Sequence, residues 1–519
     1  MTHPAPHAPS WLRLLMPSIT DSVFVLLLFA MSCGVLAPRL LGDGDIGWHI
    51  RNGELILQTR AVTHADPFSS TMQGKPWYSW EWLYDAGIAA VYRWGGLNAV
   101  VFIGALIIAF TFALLFRLAL ARGGNVLMVA MFLLLTFGAS AIHLFARPHI
   151  LSWLLLIVWF QVLDHEECSA SGSDGKLFWL PLIMLVWVNV HGEFVLAFVL
   201  LGIYLATGVV AFFLHPDKRE STRKRLSNLG AVTAASALAT FVNPYGYRLH
   251  LHIYQYLSDR WLLDHIDEFQ SPNFHGWAQQ CFVILLLLLI FILAFARQRL
   301  RLSQILVTLF AVHGAFYASR NLPTSCMLLT LLAAPLTSRE KKENPDTKLF
   351  REKLLYRFES FAGRMAALEA RLNWRLWPVL ATICGLIACG NGGRLGGAQL
   401  MNAHFDSSRF PVEAADFIGN QKIAGPVFAP DAWGGYLIYR LGPATKVFVD
   451  DRHDLYGTAF LKNYVKVINV SPRWEQVLNQ AQLHWVLIQP DSSLAGILEQ
   501  TPGWKIIYSD HTAQLFQRE

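Results

Sequence analysis

The run LGDGDIGWHIRNGELIL, residues 41–57, gathers Asp43, Asp45, His49 and Arg51 in one short stretch. Asp45 and His49 stand four residues apart, so on a helix they share a face. A carboxylate beside an imidazole can draw a proton from a hydroxyl, and paired carboxylates with a histidine can hold a divalent cation. An aspartate ahead of a helix also caps its free N–H groups. Both readings stand for Asp43, whereas the spacing of Asp45 favours chemistry. Glu81 lies between Trp80 and Trp82, and apolar surroundings favour a protonated or paired carboxylate. It faces a site or serves a structural ion pair. Arg147 and His149, in ARPH, and Arg320 sit at abrupt turns. Arginine forks match phosphate oxygens, and headgroup snorkelling is the competing account. NVHGEF turns at Gly192 and directs His191 and Glu193 either into a cavity or onto a helix cap.

The elements that must position these groups are membrane spans. Of 519 residues, 54% are apolar and 15% charged, with mean hydropathy +0.38, against about 25% charged in a soluble protein. That excludes a soluble enzyme and predicts an α-helical polytopic membrane protein. The net charge of +6 is spread over short segments between apolar runs and is no nucleic-acid footprint. About eleven spans are expected, at 19–41, 97–118, 125–145, 149–163, 177–190, 193–214, 227–243, 279–296, 303–319, 321–337 and 376–391, each near the length that crosses a ~30 Å core. No A-x-A site follows the run Val23–Leu36, so it reads as a retained first span. Lys and Arg in alternate connections, from Arg117 through Lys218 and Arg301 to the stretch 339–375, place the N-terminus inside. The basic, amphipathic stretch 338–374 then lies on the inner membrane surface. Residues 1–391 form the membrane domain. Residues 392–519 form an extracytoplasmic α/β domain, with strands near 426–429, 446–449, 485–488 and 505–508. The six cysteines have no zinc spacing.

This topology puts the out-of-place polar residues on one side, and costly ionisable groups gathered on one face line a polar cavity. The connection 42–96, with interface helices, contributes Asp43, Asp45, His49, Arg51 and Glu81. Arg147, His149, His191, Glu193 and Arg320 come from the next connections on that side. In the C-terminal domain Asp450, Asp451, Arg452 and Asp454 follow a strand. They form an internal ion pair or meet an acceptor.

GDGDIGWHIRNGELI, HADPFSSTMQGKPWYSWEWL, ARPH, NVHGEF, NPYG and GGYLIYRLGPATKVFVDDRHDLYG resemble a group of uncharacterised bacterial polytopic proteins over nearly the whole chain. That group is itself similar to the GT-C superfamily of membrane glycosyltransferases, which includes protein O-mannosyltransferases and aminoarabinose transferases. The resemblance implies a sugar donor linked through phosphate to a polyisoprenyl lipid, and an acidic residue of the first outside loop acting on the acceptor. Carried over, that residue is Asp45, with Asp43 second. Mannosyltransferase-like enzymes have an Asp-Glu pair where this chain has Asp-Gly-Asp followed by Ile46. The expected partners are the lipid donor, the membrane and an acceptor glycan, lipid or protein, in the bacterial inner membrane. The sequence specifies no cofactor, and a divalent cation is an option. A proton-coupled transporter or lipid flippase, and a non-catalytic relative, are the alternatives.

Overall fold

The computed structural model describes residues 15–168, 175–296, 298–338, 350–372 and 375–519. Residues 339–349 and 373–374 of the basic stretch used for orientation lie outside them.

Each of the eleven apolar runs falls on a helix, but among the described residues only four helices are long and apolar enough to cross a membrane: Trp82–Ala121, Val126–His143, Gly192–Leu214 and Trp277–Phe295. Others, such as Ile19–Ser32 and Leu302–Tyr317, are apolar but shorter. Every residue of Leu322–Ala333 is buried, as expected of a helix apolar on all sides at the centre of a bundle. Trp277–Phe295 is mostly uncovered. The 40-residue helix Trp82–Ala121 breaks at Gly95 and Gly96, where Gly96 has φ 62°. The break separates a short first arm from the apolar span, near the residue where the expected connection ends.

At one end of the bundle Asp164 holds four partners. Arg122 and Arg301 pair with it, Tyr204 donates to it at 2.9 Å and Gln304 at 3.2 Å. One buried carboxylate thereby staples several helices. The amphipathic helix Phe350–Arg371 joins the bundle there, where Glu369 accepts from the Ile19 and Thr20 amides at 2.6 and 3.2 Å.

The opposite end carries the 41–81 connection and the C-terminal region. Helix Asp45–Thr59 crosses helix Asp431–Leu441 at glycines. A Cβ on Gly47 would sit 2.3 Å from the Gly435 carbonyl oxygen, and one on Gly53 only 1.8 Å from the Asp85 oxygen. Two glycines in one run therefore let the same helix touch two others. The C-terminal sheet runs in the order Val427–Phe428, Trp485–Ile488, Gln514–Arg518, Trp504–Ser509, with the first pair parallel and the rest antiparallel. Gln514–Arg518 was not expected. Val447 bridges Val427 on one side and Ser69 on the other, and Ser70 donates to the Val447 oxygen at 2.9 Å. The connection is thus stitched to the sheet by backbone pairing.

Candidate active site

Asp43 caps helix Asp45–Thr59 and does more. Its Oδ1 accepts from the Asp45 amide at 3.0 Å, while Oδ2 accepts from Arg147 Nη1 at 2.7 Å. Arg147 Nη2 lies 2.9 Å from Asp45 Oδ2. Asp45 is 4% exposed, and its Oδ1 is buried with no hydrogen-bond partner among the described residues. Burial raises its pKa and Arg147 opposes the rise, leaving it at about 6. One carboxylate oxygen is thus anchored, and the other has no full hydrogen bond, although the Trp48 side chain also helps hold the carboxylate's pKa down.

One turn along, His49 is fully buried. Its Nδ1 meets Asp85 Oδ1 at 2.6 Å, and Asn52 and Ser79 donate to Asp85 Oδ2. His49 Nε2 lies 3.8 Å from Glu81. Burial alone would lower the His49 pKa, but the adjacent Asp85 and Glu81 carboxylates carry it above 6.5. Glu81 also lies 3.6 Å from His191, whose Nδ1 is 2.9 Å from the Ser152 hydroxyl and 3.7 Å from Glu193. Burial pushes Glu81 up to about 7, against the pull of His49. His191 is driven well below 6.5 by burial, with Arg320 and His149 adding to the effect. Glu81 therefore stands between an imidazole whose pKa is raised and one whose pKa is lowered.

These groups surround a cavity of about 450 Å³ lined by Asp45, Glu81, Arg147, His191, Glu193 and Arg320 together with Glu268, Asp451, His453 and a wall of Trp, Tyr, Leu and Ile side chains. Arg320 pairs with Glu268 at 3.3 Å and lies over Phe269. Burial would raise Glu268, but Arg320 and Arg147 hold it down at about 2. Two arginines and a mixed polar and apolar wall suit a phosphate with a hydrocarbon attached.

The C-terminal region closes the cavity. Arg452, 3% exposed, bonds Asp450 through two nitrogens at 2.7 Å, reaches Asp66 at 2.9 Å and lies 4.5 Å from the centroid of Trp77. The internal ion pair foreseen for Asp450 and Arg452 is present, and it also clamps the 41–81 connection. His252 pairs with Asp454 at 2.9 Å and stacks on Tyr78. Asp451 is raised well above its ordinary value by burial and by Asp431, Asp45 and Asp43. Asp43, Asp45 and Asp451 offer oxygens within 4.8 Å of one another, and Asp431, Asp451 and His453 do likewise. With the free Asp45 Oδ1, the first set fits a hard divalent cation.

Of the residues singled out from sequence, Asp45, Glu81, Arg147, His191, Glu193 and Arg320 share the cavity wall. His49 stands behind Glu81, and Asp43 is behind Arg147. His149 lines a narrow recess beside the cavity. Arg51 is elsewhere: it bonds the Tyr439 carbonyl and Glu54. On a helix turning 100° per residue it lies about 240° round from Asp45, a signal already present in the spacing. Asp85, Asp431 and His453 were not foreseen. Asp85 sits four residues after Glu81 at the head of an apolar run, and only its partner on another helix reveals its use.

No protein-family model and no curated protein matches the chain. Solved structures do. The apo crystal structure of ArnT from Cupriavidus metallidurans superposes with TM-score 0.51 at 13% identity, over 96% of this chain and 97% of that one. The apo Archaeoglobus fulgidus oligosaccharyltransferase gives 0.56 at 10% identity, over 98% of this chain and 75% of that one. The chain is a GT-C-like membrane protein in fold.

Proposed function

We propose that this chain is a glycosyltransferase of the bacterial inner membrane, transferring a sugar from a polyisoprenyl phosphate to an acceptor on the extracytoplasmic side. The observation that carries the reading is the free, buried Oδ1 of Asp45 in the wall of a cavity that also presents Arg147 and Arg320. Nucleotide sugars are absent outside the cell membrane, so an activated donor there must arrive in the bilayer. The lipid phosphate takes the arginine end, with its chain along the apolar wall. Asp45 accepts the proton of the acceptor hydroxyl as that oxygen attacks the anomeric carbon in line, and the sugar inverts. Such assistance contributes roughly 10²- to 10⁴-fold. Arg147 and Arg320 stabilise charge growing on the departing phosphate as fixed donors in a water-poor site. Asp43, Asp45 and Asp451 are also the residues that would hold a divalent cation; such an ion would supply positive charge for the phosphate and would take the free Asp45 oxygen, so it is an alternative to the base role of Asp45 and not an addition to it. The C-terminal region, outside the membrane with residues 392–519, supplies the acceptor wall.

The test is transfer of radiolabelled sugar from polyprenyl-phosphate donors by purified protein in liposomes. Asp45→Asn should abolish transfer and leave the thermal transition in place. Full activity in that variant ends the assignment.

A further inference from the structure

Glu81, His49 and Asp85 have no part in the base and phosphate roles above, yet they form a continuous buried line. Asp85 fixes His49 at 2.6 Å, and His49 Nε2, which has no hydrogen-bond partner, lies 3.8 Å from Glu81. Only Glu81 of the three reaches the cavity. It also lines the narrow recess framed by Arg147, His191, Glu193, Glu268 and Arg320. Arg147 and Arg320 line the main cavity with Glu81, so a phosphate held there by the two arginines is set beside the Glu81 carboxyl. Two anions in a dry site repel each other, so the phosphate and an ionised Glu81 exclude one another, while a protonated Glu81 donates to a phosphate oxygen.

Resting on the lipid-phosphate reading, we propose that Glu81, backed by the His49–Asp85 pair, is the acid that hands a proton to the lipid phosphate as it leaves the sugar. In the step, the acceptor O–H bond breaks and its proton passes to Asp45, while the acceptor oxygen bonds to the anomeric carbon. The bond from that carbon to the phosphate oxygen breaks with its electron pair going to phosphate. The Glu81 proton moves to a phosphate oxygen, leaving a singly protonated lipid phosphate and a Glu81 carboxylate. Asp45 then loses a proton to solvent and Glu81 regains one.

The charges around Glu81 fit that task. Helix Asp45–Thr59 supplies His49 and Asp45, helix Trp82–Ala121 supplies Asp85, the 141–149 connection supplies Arg147, and the turn at Gly192 supplies His191 and Glu193. Glu268 and Arg320 complete the recess. The resulting value of about 7 for Glu81 lies close to the second ionisation of a phosphate monoester, near 6, where proton transfer between the two is most effective. His49 and Asp85 are positioning residues, since neither touches the cavity.

The experiment measures binding of a polyprenyl methyl phosphodiester, whose single charge is constant across the range, to the full-length protein in nanodiscs between pH 6.5 and 8.5. Wild-type affinity should weaken by about 25-fold or more over that interval, because binding requires a proton on Glu81. Glu81→Gln should lose the share of that decline owed to Glu81 and keep only the part owed to Glu193, also raised by burial to about 7, and its kcat for transfer should fall about 100-fold with KM little changed. His49→Gln removes the cation that favours ionised Glu81, so the decline should move to higher pH, a shift that a merely structural role would not produce. It decides the matter if Glu81→Gln does not fold. The same pH slope in wild type and Glu81→Gln, an unshifted decline in His49→Gln, or undiminished kcat in Glu81→Gln overturns the inference and leaves the transferase reading standing. Failure of wild type to bind the lipid at any pH overturns both.

Discussion

Replacing Arg452 by Met removes the one positive charge that two buried carboxylates share. Arg452 is 2.9 Å from Asp66 and 2.7 Å from Asp450, and the carboxylates are 2% and 0% exposed. At an effective dielectric constant of 20, each contact is worth about 6 kcal/mol in Coulomb terms. Desolvation offsets most of that gain, so the intact trio contributes little net stability. Breaking it is another matter, because two anions remain in the interior, and such losses run to ~3–5 kcal/mol. The variant should therefore unfold earlier by about 3–5 °C, read by tryptophan fluorescence in detergent, since Trp48 and Trp77 flank the guanidinium. The triple variant Asp66→Asn, Asp450→Asn, Arg452→Met should recover most of the loss. A single variant within about 1 kcal/mol of wild type, or a triple variant no better than the single, refutes the argument.

Glu81→Gln should stabilise the resting protein at pH 8 and leave it unchanged at pH 5. A carboxyl raised from 4.5 to about 7 binds more protons folded than unfolded, so stability declines as pH rises between those values, by about 3 kcal/mol in all. Thermal transitions at the two pH values check it. His49 has the opposite charge and the same direction: raised above 6.5, its stabilising contribution is complete below that pH and fades as pH climbs through the folded value. Asp85→Asn should therefore lower the imidazole's apparent pKa, visible in the ring resonances of a His49-labelled sample. Gly47→Ala drives a methyl carbon to 2.3 Å from the Gly435 oxygen. It should cost about 1–3 kcal/mol and cut transfer by shifting Asp451 away from Asp45, with unchanged activity counting against the contact.

Sequence periodicity located the helices because apolar runs leave a strong signal. The helix Trp82–Ala121 breaks at Gly95 and Gly96, beside the residue where the first connection is expected to end. The runs alone do not say which helices cross the membrane, since several are shorter than the bilayer. Asp45 and Glu81 were legible as carboxylates in unlikely company. Asp85, Asp431 and His453 were not, because their meaning lies in partners from other elements. Strand Gln514–Arg518 has glutamines flanking a Leu-Phe pair, too short an alternation to stand out, and only pairing with Trp485–Ile488 makes it a strand.

The contact of Gly47 with Gly435, sealed by Arg51 on the Tyr439 carbonyl 388 residues further on, ties the timing of activity to synthesis. A nascent chain already threaded through most of its helices still has an open, half-walled pocket. The cavity gains the wall supplied by Asp451, Arg452, His453 and Asp454 only once those late residues are made and docked, so a ligand site built across both regions is assembled last.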